Sequence, residues 1–207
     1  MLQILGRATS INVRKVLWTC DEIGLSYQRE DWGAGSRSPR EPAFLALNPN
    51  GQVPVIKDDG FVLWESNTIC RYLAGMHKRA DLLPTEPAAR ARVEQWMDWQ
   101  ATELNPSWRY AFYALVRKEP GYGDPAKVTA GADHWNREMQ ILDRQLAATG
   151  AYVAGADFTL ADILLGLSVH RWMMTPIRRA ECPAVTAYHK KLGARPAFAA
   201  HARQDVP

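Results

Sequence analysis

Two hydrophobic rhythms divide this chain, and they change over near residue 78. Up to His77, short β-like runs alternate with stretches of helical spacing; from Pro87 onward only the helical period remains. Residues 2–5 form a short apolar run. After a loop, Val13, Val16, Leu17, Cys20 and Ile23 mark one helix face that Gly24 stops. Residues 27–31 read as a second strand, and 42–47 as a short helix with proline in its first turn. Residues 53–57 and 61–64 read as strands joined by the hairpin signal Asp58-Asp59-Gly60. A helix then starts at Ser66 with Ile69, Tyr72, Leu73 and Met76 on one face. The order βαβαββα predicts a mixed sheet with helices packed on it, so 1–77 is read as an α/β domain, 78–86 as a linker and 87–207 as an all-α domain.

Within the helical part, a long amphipathic run over 90–116 is expected to kink at Asn105-Pro106. Asp124-Pro125 reads as an N-cap followed by proline at the first helical position. Thr159 and Asp162 have the spacing of a capping box, with Phe158 and Ile163 at the positions of a hydrophobic staple, a device that starts a buried helix and does no chemistry.

Composition narrows the class. A chain of 207 residues, 47% hydrophobic and 23% charged, has material for a real core. Its net charge of +3 comes from scattered basic residues with no run, so neither nucleic acid nor an anionic membrane is indicated as partner. No apolar stretch approaches the roughly 18 residues of a membrane span, and Met-Leu-Gln-Ile-Leu-Gly-Arg lacks the pattern of a signal peptide. A cytoplasmic protein is therefore expected. Cys20, Cys70 and Cys182 are far apart and form no Cys-x-x-Cys, which fits neither a disulfide framework nor a metal site.

Two constellations have the residue types for chemistry. The first is Arg7-Ala8-Thr9-Ser10-Ile11-Asn12, between the first strand and first helix, where an open α/β sheet binds ligands and a helix N-terminus attracts anions. Ser10 or Asn12 either donates to such a ligand or caps the helix. The second is Asn48-Pro49-Asn50-Gly51-Gln52-Val53-Pro54 followed by Glu65-Ser66. Backbone polar groups next to a proline lack a ladder partner and can face a peptide-like ligand; Ser66 opens a helix, and Glu65 can receive an ammonium. Read from the residues alone, Glu65-Ser66 is equally a helix cap.

Three stretches, Asn-Pro-Asn-Gly-Gln-Val-Pro-Val, Leu-Trp-Glu-Ser-Asn-Thr-Ile-Cys-Arg-Tyr-Leu and Phe-Thr-Leu-Ala-Asp-Ile, occur in the order found in cytosolic glutathione transferases. The chain resembles the bacterial serine/asparagine-type members, theta-like or nu-like. The resemblance implies a thioredoxin-like N-terminal domain and a helical C-terminal one, with glutathione as co-substrate, no other cofactor and a homodimer. It implies that Pro54 is a cis-proline and that Val53 pairs with the cysteinyl unit of glutathione. Glu65 and Ser66 are then expected to hold the γ-glutamyl group, with Gln52 near the glycyl end. Asp98 matches the position that reaches glutathione on the neighbouring subunit.

Ser10 stands where serine classes place their catalytic hydroxyl, and Asn12 where bacterial relatives place an asparagine; no tyrosine or cysteine occupies that loop. For the second substrate the resemblance points to Arg7, Trp32, Trp108, Tyr110, Phe112, Tyr113 and Trp172 as an electrophile pocket, although aromatics at such spacing also build cores. Of the eight tryptophans, Trp32, Trp108 and Trp172 are the ones so placed. The expected activity is attack of a glutathione thiolate on small, including halogenated, electrophiles. A glutathione-dependent disulfide reductase or peroxidase, and a binding protein without turnover, are the alternatives.

Overall fold

The computed structural model describes residues 1–202, whose contacts fall into two units, Met1–Leu83 and the residues from Pro84 onward. In the first unit the elements are β1 (Leu2–Leu5), α1 (Ile11–Ile23), β2 (Tyr27–Glu30), α2 (Pro42–Leu45), β3 (Val55–Asp58), β4 (Phe61–Trp64) and α3 (Ser66–Met76). The sheet order is β2-β1-β3-β4. A helix joins β1 to β2, so they run parallel; β3 is antiparallel to both β1 and β4. The β3–β4 hairpin closes through Asp59 (φ 44°) and Gly60 (φ 89°), the two left-handed residues that a tight turn matching strand twist requires.

Helix α1 ends at Gly24 (φ 82°), whose N–H donates to the carbonyls of Cys20 and Asp21. Its packing with α3 includes polar links: Lys15 Nζ donates to Asn67 Oδ1 at 3.1 Å, and Thr19 Oγ1 to Cys70 Sγ at 3.2 Å. Leu5, Trp32, Phe44 and Val55 form a core cluster, with Val53 and Trp64 packed against it. Strand β3 starts two residues later than the apolar pattern predicts. Pro54 has no N–H to give to a ladder, so pairing begins at Val55 opposite Leu5.

The second unit is helical: α4 (Pro87–Trp99), α5 (Asn105–Phe112), α6 (Pro125–Thr149), α7 (Leu160–Met174), α8 (Pro183–Gly193) and α9 (Pro196–His201). Where the sequence predicts a kink at Asn105-Pro106, the backbone instead stays helical and changes register. A π turn spans Gln100–Leu104, and Asn105 donates to the carbonyl of Gln100, five residues back. This displaces the ladder by one residue just where Pro106 lacks a donor. A second π turn, Tyr113–Arg117, ends in left-handed Lys118 (φ 52°).

From Leu160 to Trp172 every residue of α7 is buried. The capping box at its start is also a hub. Asp162 accepts from the N–H groups of Thr159 (2.9 Å) and Val153 (3.0 Å), from Thr159 Oγ1 (3.2 Å) and from Tyr188 Oη (2.9 Å). Burial pushes the Asp162 carboxyl up, and these bonds oppose that shift. Removing the carboxylate leaves two backbone donors buried without partners and takes from Tyr188 Oη its 2.9 Å acceptor, leaving it the Asp162 carbonyl at 3.3 Å. Asp162→Ala should therefore cost about 3 kcal/mol and lower the Tm by roughly 6–12 °C in calorimetry.

Candidate active site

The site is fixed by the sheet register. Leu5 pairs with Glu30 on one side and with Val55 on the other, and Val55 pairs with Trp64. One row, Glu30–Leu5–Val55–Trp64, thus crosses all four strands at one end of the sheet, with strands about 4.8 Å apart. The segments that leave or enter this row are the loop carrying Ser10, the Val53-Pro54 pair, and Glu65-Ser66. The sheet brings together the two constellations that the sequence singles out. It is the carboxyl end of β1, where open α/β sheets bind ligands.

Gly6 holds the first loop against the second. A Cβ there would lie 2.5 Å from Val13 Cγ2 and 3.1 Å from Val53 Cβ, and φ is 153°. The loop is further pinned by Gly6 N–H donating to Glu30 O (2.8 Å) and Arg7 N–H to Trp32 O (3.1 Å). Ser10 then takes the N-cap position of α1 in extended conformation, but its hydroxyl makes no capping bond. Ser10 and Asn12 are both partly exposed. The alternative of Ser10 as a side-chain cap is thereby set aside.

The second loop is built by Asn48, which is 2% exposed. Its Nδ2 donates to Gln52 O (2.8 Å), and its Oδ1 accepts from Asn50 N–H (3.0 Å). Gly51 (φ 59°) passes so close to Pro39 that a Cβ would meet that carbonyl at 2.9 Å. This frame presents exposed Gln52, then Val53 and the cis Val53–Pro54 peptide. Asn48 and Gly51 shape this loop, a role that the motif alone does not single out.

Glu65 sits at φ 72°, ψ 106°, a left-handed conformation rare for a side-chain-bearing residue. It is exposed, makes no capping bond, and is followed by buried Ser66 at the first position of α3. Helices α1 and α3 share a trait that sets them apart among the described helices that start from a loop. The others open with proline, which removes an unpaired donor, or carry a side-chain cap from Glu86, Asp124 or the Thr159–Asp162 box. Helices α1 and α3 have neither, and both start at one end of the sheet, where the positive end of a helix favours an anion.

The other sequence-predicted residues are placed differently. Arg7 is partly exposed and donates to Ala34 O (3.2 Å). Trp32 is not a surface aromatic: it is 4% exposed, lies 4.8 Å from the Phe44 ring, and is covered by the Arg37 guanidinium at 3.9 Å. In the second unit Asp98 is exposed on α4, while Phe112 and Trp172 are interior at 2%. Trp108 is buried at 9%, its indole N–H donating to Asn105 Oδ1 at 3.1 Å. Only Tyr110 and Tyr113 of the aromatic candidates are half-buried, because they lie on the outer side of α5 and the π turn that follows it. Their rings meet that of Tyr122 from the loop before α6, a residue that periodicity cannot find because it belongs to no regular element.

The three cysteines are buried and free, and burial raises each thiol, to about 11 for Cys70 and Cys182. None is suited to act as a nucleophile. Among the described residues no three His, Cys, Asp or Glu side chains cluster to hold a metal, and no helix is long and apolar enough to cross a membrane. Because Gly6 lets Val13 and Val53 close on the first loop, Gly6→Ala should cost about 1–3 kcal/mol through overpacking, lowering the Tm in calorimetry.

Residues 9–76 match the family model described as glutathione S-transferase, N-terminal domain. The chain is 34% identical over 199 residues to the glutathione S-transferase GstB of Escherichia coli, covering 95% of each. It is 33% identical to glutathione S-transferase 3 of Zea mays, covering 95% of this chain and 91% of that one. Among solved structures, the theta class glutathione S-transferase of Xanthomonas axonopodis pv. citri with glutathione bound superposes with a TM-score of 0.88 at 37% identity, covering 97% of this chain and 96% of the other. Likeness of this degree along nearly the whole length shows that the protein is an enzyme of the glutathione S-transferase family.

Proposed function

We propose that the carboxyl end of the first unit's sheet binds glutathione and that Ser10 and Asn12 hold its sulfur as a thiolate. The observation that carries this reading is the pair of helix N-termini with neither proline nor side-chain cap, α1 and α3, on loops from one row of the sheet. In this reading the first takes the thiolate and the second the γ-glutamyl carboxylate, on Ser66 and its N–H group. Glu65 receives the ammonium, Val53 gives backbone hydrogen bonds to the cysteinyl unit, and Gln52 lies towards the glycyl end.

The energetics need no protein base. A thiol of pKa about 8.5 is mostly protonated at neutral pH, and lowering it to about 6.5 requires about 2.7 kcal/mol. One hydrogen bond to a charged sulfur supplies about 1.5–3 kcal/mol, and a helix N-terminus about 0.3–1 more. The thiolate then attacks an electrophilic carbon, forming the C–S bond as halide or another leaving group departs with the electron pair. Tyr110 and Tyr113, backed by Trp108 and Phe112, form the aromatic surface for the electrophile, haloacids and aryl halides being the classes to test. The working protein is a cytoplasmic homodimer with no cofactor besides glutathione, Asp98 reaching the glutathione of the neighbouring subunit.

Thiolate titration by ultraviolet absorbance tests the activation step. Ser10→Ala and Asn12→Ala should each raise the apparent pKa of bound glutathione by about 1 unit. Activity at neutral pH then falls and returns as the pH is raised; an unchanged titration in both variants excludes the scheme.

Glu65 offers a second test, separating ligand binding from helix capping. Glu65→Gly relieves a left-handed backbone and should leave the Tm unchanged or slightly higher, while calorimetric affinity for glutathione drops about tenfold. A lower Tm with unchanged affinity marks Glu65 as merely structural.

A further inference from the structure

We infer that Arg29 is a positioning residue for thiol activation: it holds the Gly6–Arg7 peptide and, through it, the place of the Ser10 hydroxyl. This rests on the reading above that Ser10 donates to the sulfur of glutathione. All the groups involved belong to the first unit.

The last paired row of the parallel strands β1 and β2 is Leu5–Glu30. The chain leaving β1 then passes through Gly6, where Val13 and Val53 leave no room for a Cβ. The missing Cβ also frees the backbone. A peptide that follows glycine can turn over at little steric cost, exchanging the directions of its C=O and N–H. Here that peptide is held at both polar ends by β2 and its continuation. The Gly6 carbonyl accepts from Arg29 Nη1 at 3.1 Å, and Arg7 N–H donates to Trp32 O, also at 3.1 Å. Asp31 steers the guanidinium, its Oδ1 accepting from the same Nη1.

The tie is handed on towards α1. Arg7 O accepts from Ser10 N–H at 3.1 Å, and Ser10 O accepts from Arg14 N–H at 2.9 Å as the helix begins. The Arg7 side chain adds a bond to Ala34 O at 3.2 Å. If the Gly6–Arg7 peptide turned over, the Arg7 bond to Trp32 would break, Arg7 O would shift, and Ser10 would follow. Hydrogen bonds weaken steeply with misalignment, so a small displacement of the Ser10 hydroxyl is felt at the sulfur. Arg29 is thus a side chain through which the sheet itself sets the loop.

The test is an ultraviolet titration of bound glutathione in two variants. Arg29→Met keeps the length and loses the donors; Arg29→Gln keeps a polar end but stops short of the Gly6 carbonyl. Each should raise the apparent pKa of the thiol by about 0.5 unit, or roughly threefold less thiolate below that pKa, with activity at neutral pH falling in proportion and returning as the pH is raised. Arg29→Lys, which retains a charged donor of similar reach, should restore the titration of the unaltered protein. The decisive comparison is made in the Ser10→Ala background. A residue that acts by placing the Ser10 hydroxyl has nothing left to place there, so Arg29→Met should add less than about 0.2 unit. An unchanged titration in the Met and Gln variants overturns the inference, even where their Tm falls. A shift of equal size with and without the Ser10 hydroxyl also overturns it, since that marks a direct effect of the arginine's charge. If Ser10→Ala itself leaves the thiol unmoved, or the unaltered protein binds no glutathione, the reading of the site fails, and the inference with it.

Discussion

Strand β3 is hydrogen-bonded on both sides, and the position of its first residue decides where every loop of the candidate site stands. Val55 faces Leu5 across one ladder and Trp64 across the other, which aligns the exits of β1 and β4 with the entry of β3. Strand pairing tolerates no partial error here, since a slip of one residue would turn each buried side chain of β3 to the opposite face. Val55 and Ile56 are both fully buried, so both faces of the strand oppose such a slip. The missing Cβ of Gly6 completes the constraint by letting α1 and the Val53 segment close on one point.

Around that point the protein forgoes stabilisation that it collects elsewhere. In the second unit, helix starts are finished with prolines and acidic caps; Glu86 accepts two backbone N–H groups, Asp124 two, and Asp162 joins a four-donor network. Helices α1 and α3 start without proline and without a side-chain cap, and Glu65 is held in a backbone region that ordinary residues avoid. Uncapped helix starts and local strain in one place agree with the ligand-binding role proposed for this end of the sheet.

Much of this was legible in the sequence. The change of period located both architectures, the Asp58-Asp59-Gly60 turn fixed the hairpin, and the Thr159–Asp162 spacing marked the start of α7. Tertiary contacts decided what was not legible. Nothing in the spacing of Trp32 or Trp172 separates a pocket wall from a core residue; Phe44 and Arg37 cover the first, and Asn136 takes the indole proton of the second at 3.1 Å. Whether Ser10 caps its helix is likewise a matter of rotamer, which a sequence does not encode in its spacing. Tyr122 was missed because pattern reading follows regular elements, and its contacts with Tyr110 and Tyr113 come from where a loop returns.

The two π turns have a consequence for how this surface can evolve. A π turn is in effect one residue added to an α-helix, and one residue corresponds to about 100° of rotation about the axis. Gain or loss of a single codon within residues 100–104 therefore re-aims α5, Tyr110 included, in one step. Comparable length changes in a connecting loop would leave its direction unaltered. Relatives that differ by one residue there can thus share the fold and present unlike side chains on the outer side of this helix. An alignment that forbids gaps inside helices would set Tyr110 and Tyr113 against residues that face elsewhere.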